Sequence, residues 1–191
     1  MNHRIFLAID LPQKVINIIQ DVQNSFAQQA PSIIRWTKTD QLHITLKFVG
    51  ELQDSHLNRL CATLDLTLSA FQIFPLEYSG LGIFPSMRNP RILWLGIKPN
   101  EPLFILVRNV ESIFQDLGYE PEKRPFQPHL TIGRFKNDFS QSELQNFQSC
   151  LALHKDKDHA HQMVEHVTLY ESTLTPRGPI YKVLLQVPFK A

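Results

Sequence analysis

An α+β protein whose two similar halves face each other across a shared cleft is the fold class this sequence predicts, and three observations predict it. Helical stripes of apolar residues alternate along the chain with short apolar segments of period two. The order of those elements repeats: helix, His-Thr strand, helix, strand, Pro-containing connection carrying an Arg, strand. The repeat is marked by two tetrapeptides of one form, His43-Ile44-Thr45-Leu46 and His129-Leu130-Thr131-Ile132, 86 residues apart. His43 lies 50 residues before Leu93 and His129 lies 54 before Val183, each in the strand that follows a Pro-containing connection. This near-constant spacing suggests an internal duplication within one domain spanning residues 1–191. With 191 residues, 43% of them hydrophobic, the chain can bury a substantial core.

Arg4 to Ile9 alternates as a strand. Asp10-Leu11-Pro12 then opens a helix, because Asp and Pro suit a first turn. Its stripe of Val15, Ile18, Ile19, Val22 and Phe26 carries it to about Gln29. Strands follow over Ile33 to Thr37 and Leu42 to Val49, closed by Gly50. From Asp54 or Ser55 a second helix presents Leu57, Leu60, Cys61, Leu64 and Leu68. Phe71 to Tyr78 and Arg91 to Ile97 read as a hairpin with a long connection, given Gly80, Gly82, Pro85 and Pro90 between them.

Pro102 to Leu117 keeps helical spacing at Leu103, Leu106, Val107, Val110, Ile113 and Phe114, and Gly118 stops it. Pro121 to Pro128 reads as a loop leading into the second His-Thr strand. Ser140-x-x-Glu143 has the spacing of a capping box, starting a helix through Leu153. The polar stretch with His154, His159, His161 and His166 fits no standard zinc spacing and reads as a solvated loop. Val164 to Tyr170 and Tyr181 to Phe189 form the last strand pair, parted by Thr175-Pro176-Arg177-Gly178-Pro179.

Charge and cysteine content narrow the function. A formal net charge of +1 argues against broad electrostatic adhesion to nucleic acid or membrane, so an anionic ligand must meet locally placed cations. Cys61 and Cys150 are too few for a disulfide framework and read as reduced core thiols. No apolar run approaches the roughly 18 residues of a membrane span, and the start lacks a secretory pattern, so a cytoplasmic protein is expected.

In a strand, His43 and Thr45 share one face, as do His129 and Thr131. A single His-x-Thr is ordinarily a half-buried polar step; two copies in matching contexts point to a site. Imidazole titrates near pH 6.5, so of a pair sharing a pocket one ring can serve as base and the other as acid. Hydrolysis of a strained five-membered cyclic phosphate needs that pair, donors for the phosphoryl oxygens and a cation, and no metal. Arg134 is the best-placed cation, since guanidinium forks onto phosphate, although strict alternation puts it opposite His129 unless Gly133 marks a bulge. Lys47 alternates onto the His43 face or snorkels to solvent. Phe48 alternates to the core, or stacks a base if it lies at the mouth. Arg35, Lys38, Arg88, Arg91, Arg124 and Arg177 either frame an RNA path or are ordinary surface charge.

Five stretches together carry a resemblance: Arg4 to Pro12, Leu42 to Gly50, Pro90 to Gly96, Pro128 to Arg134 and Tyr170-Glu171-Ser172. On them the chain resembles the RNA 2′,3′-cyclic phosphodiesterases, also called 2′-5′ RNA ligases, of the two-histidine phosphoesterase superfamily. The resemblance implies a bilobal fold with antiparallel sheets flanked by helices, a central cleft and no cofactor or metal. It implies hydrolysis of a terminal 2′,3′-cyclic phosphate to a 2′-phosphate, with His43 as proton donor and His129 as acceptor. Thr45, Thr131, Arg134 and Phe48 are carried over as substrate-binding residues. Implied partners are cyclic-ended RNA or a cyclic nucleotide, with no membrane and no obligate protein partner, the chain acting as a monomer. Reversible 2′-5′ ligation is the same chemistry run backwards. A binding module without turnover, or a superfamily phosphodiesterase acting on a non-RNA substrate, are the alternatives.

Overall fold

The computed structural model describes residues 2–29, 33–154, 157–176 and 178–191. In chain order the elements are β1 (Asn2–Ile9), α1 (Gln13–Gln29), β2 (Ile34–Trp36), a 3-10 turn (Thr39–Gln41), β3 (Ile44–Gln53), α2 (Asp54–Leu68), β4 (Phe74–Ser86) and β5 (Asn89–Ile97). They continue with α3 (Glu101–Asp116), β6 (His129–Phe135), α4 (Gln141–His154), β7 (Asp158–Val164), β8 (His166–Thr175) and β9 (Gly178–Pro188). Two antiparallel sheets result, a four-stranded one in the order β3-β1-β8-β9 and a five-stranded one in the order β2-β6-β5-β4-β7.

Each sheet takes strands from both halves of the sequence, so neither half closes a sheet by itself. The helices are distributed to match. Helices α1 and α4 pack on each other, with α1 against β7 and α4 against β4, while α2 and α3 pack together against β9 and β3. The burial follows the helical stripes: Val15, Ile19, Val22 and Phe26 on α1, and Leu103, Leu106, Val110, Ile113 and Phe114 on α3. The ends of α3 are chemically defined. Asn100 caps it by accepting the Leu103 N–H at 3.1 Å, and Gly118, at φ 88°, lets the chain turn back. The predicted capping box forms, with the Ser140 N–H donating to the Glu143 carboxylate at 2.7 Å and the Glu143 N–H to Ser140 Oγ at 3.2 Å. Cys61 is half-buried and Cys150 buried, both unpaired.

Two expectations are corrected. Residues between Tyr78 and Arg91 are not a long connection: β4 runs on to Ser86 and turns back through two residues. Gly82 belongs inside that strand because the Trp94 ring occupies the space where a Cβ would stand. The polar stretch after α4 is not a solvated loop, since Asp158–Val164 forms β7 along β4. Its histidines also divide. The His154 and His159 rings lie parallel at 6.1 Å with His154 against Phe26, His161 is exposed, and His166 bonds Asp10 at 3.0 Å. Among the described residues no three His, Cys, Asp or Glu side chains are gathered as metal ligands. Arg177, one of the cations considered for an RNA path, lies outside the described residues.

Candidate active site

Both His-Thr strands are the edge-side neighbours of a central strand, β3 beside β1 and β6 beside β5, and both present the motif to one cavity of about 690 Å³. His43, Thr45, His129 and Thr131 all line it. Each imidazole is fixed in the same way. His43 Nδ1 donates to the Gln41 carbonyl at 2.9 Å and His129 Nδ1 donates to the Gln127 carbonyl at 2.7 Å. A carbonyl only accepts, so both rings carry their proton on Nδ1 when neutral, and Nε2 is the atom offered to the cavity. The residue two before each histidine is Gln in both copies, Gln41 and Gln127, but the acceptor is its main-chain carbonyl, which any residue there would supply.

The two rings differ in their surroundings. Phe6 lies 4.7 Å from the His43 ring and Tyr181 meets it edge-on at 5.4 Å. Burial pulls the proton affinity of His43 below that of a free imidazole; the Gln41 bond and Asp10 oppose this, and Arg134 adds to it. His129 packs edge-on against Phe84 at 5.0 Å. Behind His43, burial favours the protonated Asp10 carboxyl, but bonds from His166, Thr168 and Tyr170 together hold it below the usual carboxylate range. Tyr170 in turn stacks on Phe6 at 5.2 Å, so this network supports the floor beneath the imidazole.

Two β-bulges decide which later residues enter the cleft. Along β3, Ala8 pairs with Thr45 and Leu7 with Lys47, leaving Leu46 as the extra residue. Along β6, Trp94 pairs with Thr131 and Leu93 with Gly133, leaving Ile132 as the extra residue. A bulge shifts the alternation by one. Each stands three residues after its histidine, so the residue five after each histidine returns to the cleft: Phe48 and Arg134 line the cavity. Phe48 is therefore not a core residue but 53% exposed. The bulge predicted at Gly133 stands at Ile132. Gly133 is required beside it, since a Cβ there would meet Ile34 Cγ2 at 2.6 Å. Lys47 is the residue displaced. It is only 8% exposed and its Nζ donates to both Glu111 carboxylate oxygens at 2.8 and 2.9 Å, away from the cleft.

Gln23, 7% exposed on α1, holds the second bulge. Its Nε2 donates to the Ile132 carbonyl at 2.9 Å and to the Thr37 carbonyl at 3.0 Å, and the Thr37 N–H reaches the same Ile132 carbonyl at 3.1 Å. Nothing in the sequence signals this residue. Arg4, by contrast, has a signal in the sequence, because alternation along β1 places it with Phe6 while Ile5 and Leu7 are buried. Its guanidinium lies 5.0 Å over the Phe48 ring, and its Nε is buried without a hydrogen-bond partner among the described residues. Arg35 and Lys38 also line the cavity, while Arg91 instead bonds Asn137 at 2.9 Å. Among the described residues, four cations therefore line the cleft and no carboxylate does, which gives a nearly neutral chain a strongly cationic cavity.

The chain is similar to known proteins over nearly its whole length. The model of the 2′-5′ RNA ligase superfamily matches residues 11–176. An RNA 2′,3′-cyclic phosphodiesterase of Methanocaldococcus jannaschii is 35% identical over 181 residues, covering 95% of this chain and 98% of that protein. One of Thermotoga maritima is 29% identical over 189 residues, covering 98% and 96%. Among solved structures, TT0787 of Thermus thermophilus superposes with a TM-score of 0.82 at 24% identity over 97% of each chain. E. coli LigT complexed with 3′-AMP superposes at 0.76 with 23% identity over 100% of each chain, a likeness of fold.

Proposed function

The chain belongs to the 2′-5′ RNA ligase superfamily, and from that premise we propose that it hydrolyses the 2′,3′-cyclic phosphate end of RNA to a 2′-phosphomonoester. The observation that carries this reading is the pair of Gln-x-His-x-Thr strands facing one cationic cavity with both Nδ1 atoms already committed to main-chain carbonyls. Relatives that bear the name RNA 2′,3′-cyclic phosphodiesterase support it.

In this reading His129 Nε2 takes a proton from water, the water oxygen attacks phosphorus, the bond to the ribose 3′-oxygen breaks, and His43 Nε2 supplies the proton that oxygen needs. A neutral His129 with its proton on Nδ1 has the required lone pair on Nε2. His43 must begin protonated. Burial disfavours that form, and the bound phosphodiester anion, with Asp10 behind the ring, favours it. The Thr45 and Thr131 hydroxyls donate to the non-bridging oxygens, the Arg134 guanidinium neutralises their charge, and Phe48 offers a face for a base. With a ribose 5′-hydroxyl in the place of water, the same proton transfers leave a 2′-5′ linkage, and the reverse of that step cleaves one.

We read residues 1–191 as one domain of two duplicated lobes, since each sheet needs strands from both halves. The cavity is completed by a single chain, which supports a monomer as the active unit. Two unpaired cysteines and an RNA substrate support the cytoplasm as its place of work. No helix among the described residues is long and apolar enough to cross a membrane. The test is product analysis on a short RNA with a 2′,3′-cyclic end. A 2′-phosphate is expected. Tight binding with no phosphomonoester would identify a binding module, and a 3′-phosphate would reverse the assigned leaving group.

A further inference from the structure

The cleft holds more positive charge than one phosphodiester requires. Arg35 and Arg134 are direct partners across the β2–β6 ladder, so their side chains leave the same face of the sheet. Both are exposed, both line the cavity, and neither has an ion pair or side-chain hydrogen bond among the described residues. Like charges directly opposed in a ladder destabilise it. Here Arg35 sits on an edge strand of three residues, which has little pairing to offset that cost, and Arg134 on β6 inside it. An anion between or beside them removes the repulsion.

The two arginines are not equivalent with respect to the histidines. Arg134 stands on β6, the strand that carries His129 and Thr131, whereas Arg35 stands on the edge strand β2 beyond it. Arg35 therefore stands one strand further out, on the side where Lys38 also lines the cavity. A cyclic phosphate end carries one negative charge, which Arg134 matches. In an RNA strand the next negative charge belongs to the phosphodiester on the 5′ side of the terminal nucleotide.

We propose that Arg35 is a specificity-determining contact for that penultimate phosphodiester, so that the protein favours cyclic-ended oligonucleotides over cyclic mononucleotides. This inference rests on the activity proposed above and names the substrate class of the same cleft. A mononucleotide engages only Arg134, and a dinucleotide or longer strand engages both arginines.

The experiment compares kcat/KM for a cyclic-ended dinucleotide and a 2′,3′-cyclic mononucleotide in the wild-type protein and in Arg35→Gln. The wild type should prefer the dinucleotide by about tenfold or more. Arg35→Gln should lower the dinucleotide value at least about tenfold more than the mononucleotide value, and reduce the salt dependence of dinucleotide binding by about 0.7 in log–log slope, as expected for one lost contact to a single strand. Its melting temperature should hold or rise, because the opposed charges are gone. An equal loss on both substrates would place Arg35 at the terminal phosphate and overturn the proposal, as would no loss on either. Equilibrium binding of 2′-phosphorylated dinucleotide and mononucleotide makes the same comparison without turnover. A protein that binds both with the predicted Arg35-dependent preference yet hydrolyses neither would overturn the proposed activity and uphold the second phosphate contact.

Discussion

Replacing Gln23 with Met removes two amide N–H donors, one from the buried Ile132 carbonyl and one from the part-buried Thr37 carbonyl, while nearly keeping the side-chain volume. The Ile132 carbonyl retains its bond from the Thr37 N–H, so the loss there is about 1 kcal/mol, the net worth of one neutral hydrogen bond. The Thr37 carbonyl loses its 3.0 Å partner, at about 1 to 3 kcal/mol for an acceptor left unpaired. Together these give about 2 to 4 kcal/mol, or roughly 4 to 16 °C in Tm for a chain of this size. The functional effect follows from what the bonds hold, the bulge that returns Arg134 to the cleft. In thermal melts and in kcat/KM assays on a cyclic-ended dinucleotide, Gln23→Met should lose stability by that amount and lose at least about tenfold in kcat/KM. In an Arg134→Ala background the same substitution should still lower Tm but cost little further rate, because the residue it positions is gone. Equal rate losses in both backgrounds, or an unchanged Tm, would refute the role given to Gln23.

Arg134→Ala should itself lower kcat/KM by about 10² to 10³, the usual loss for one transition-state donor, and should move the pH limb set by His43 upward, since Arg134 depresses that imidazole. With His43 as the acid, that limb is the alkaline one and lies below the ordinary imidazole value; a wild-type kcat/KM profile flat between about pH 5 and 8 would contradict it. The Asp10–His166 pair predicts a window of stability. The bond to Asp10 raises the His166 pKa, so its contribution is full below about pH 6.5 and fades as pH rises through the folded value. The depressed Asp10 contributes above about pH 4 and fades as pH falls through its folded value. Urea titrations of His166→Gln from about pH 4 to 9 should show that pH dependence flattened. Gly133→Ala should cost about 1 to 3 kcal/mol through overpacking on Ile34 and Trp36, read as a lower midpoint in the same titrations.

Much of this architecture was legible because local rules act alone there. The stripe Val15, Ile19, Val22, Phe26 and the capping box of Ser140 and Glu143 need no partner to be recognised, and the two His-x-Thr strands declare their cleft face by alternation. What escaped the sequence depends on partners. Whether a strand bulges after Thr45 or Thr131 is set by its register with β1 or β5, and that register sends Lys47 to Glu111 and brings Phe48 and Arg134 to the cleft. The strand at Asp158–Val164 is polar on its exposed side and looks like a loop until β4 is there to pair with it. The exchange of strands between halves is invisible for the same reason, since no single segment records which sheet it joins.

The central claim is that imidazoles from the two halves of the chain act on one phosphorus atom, and single-turnover hydrolysis of a cyclic-ended RNA by His43→Ala and His129→Ala tests it most directly. Each variant should keep the wild-type melting profile and lose about 10² to 10⁴ in rate, the share of one proton-transfer partner. A folded variant of either kind that turns over at close to the wild-type rate would contradict the claim.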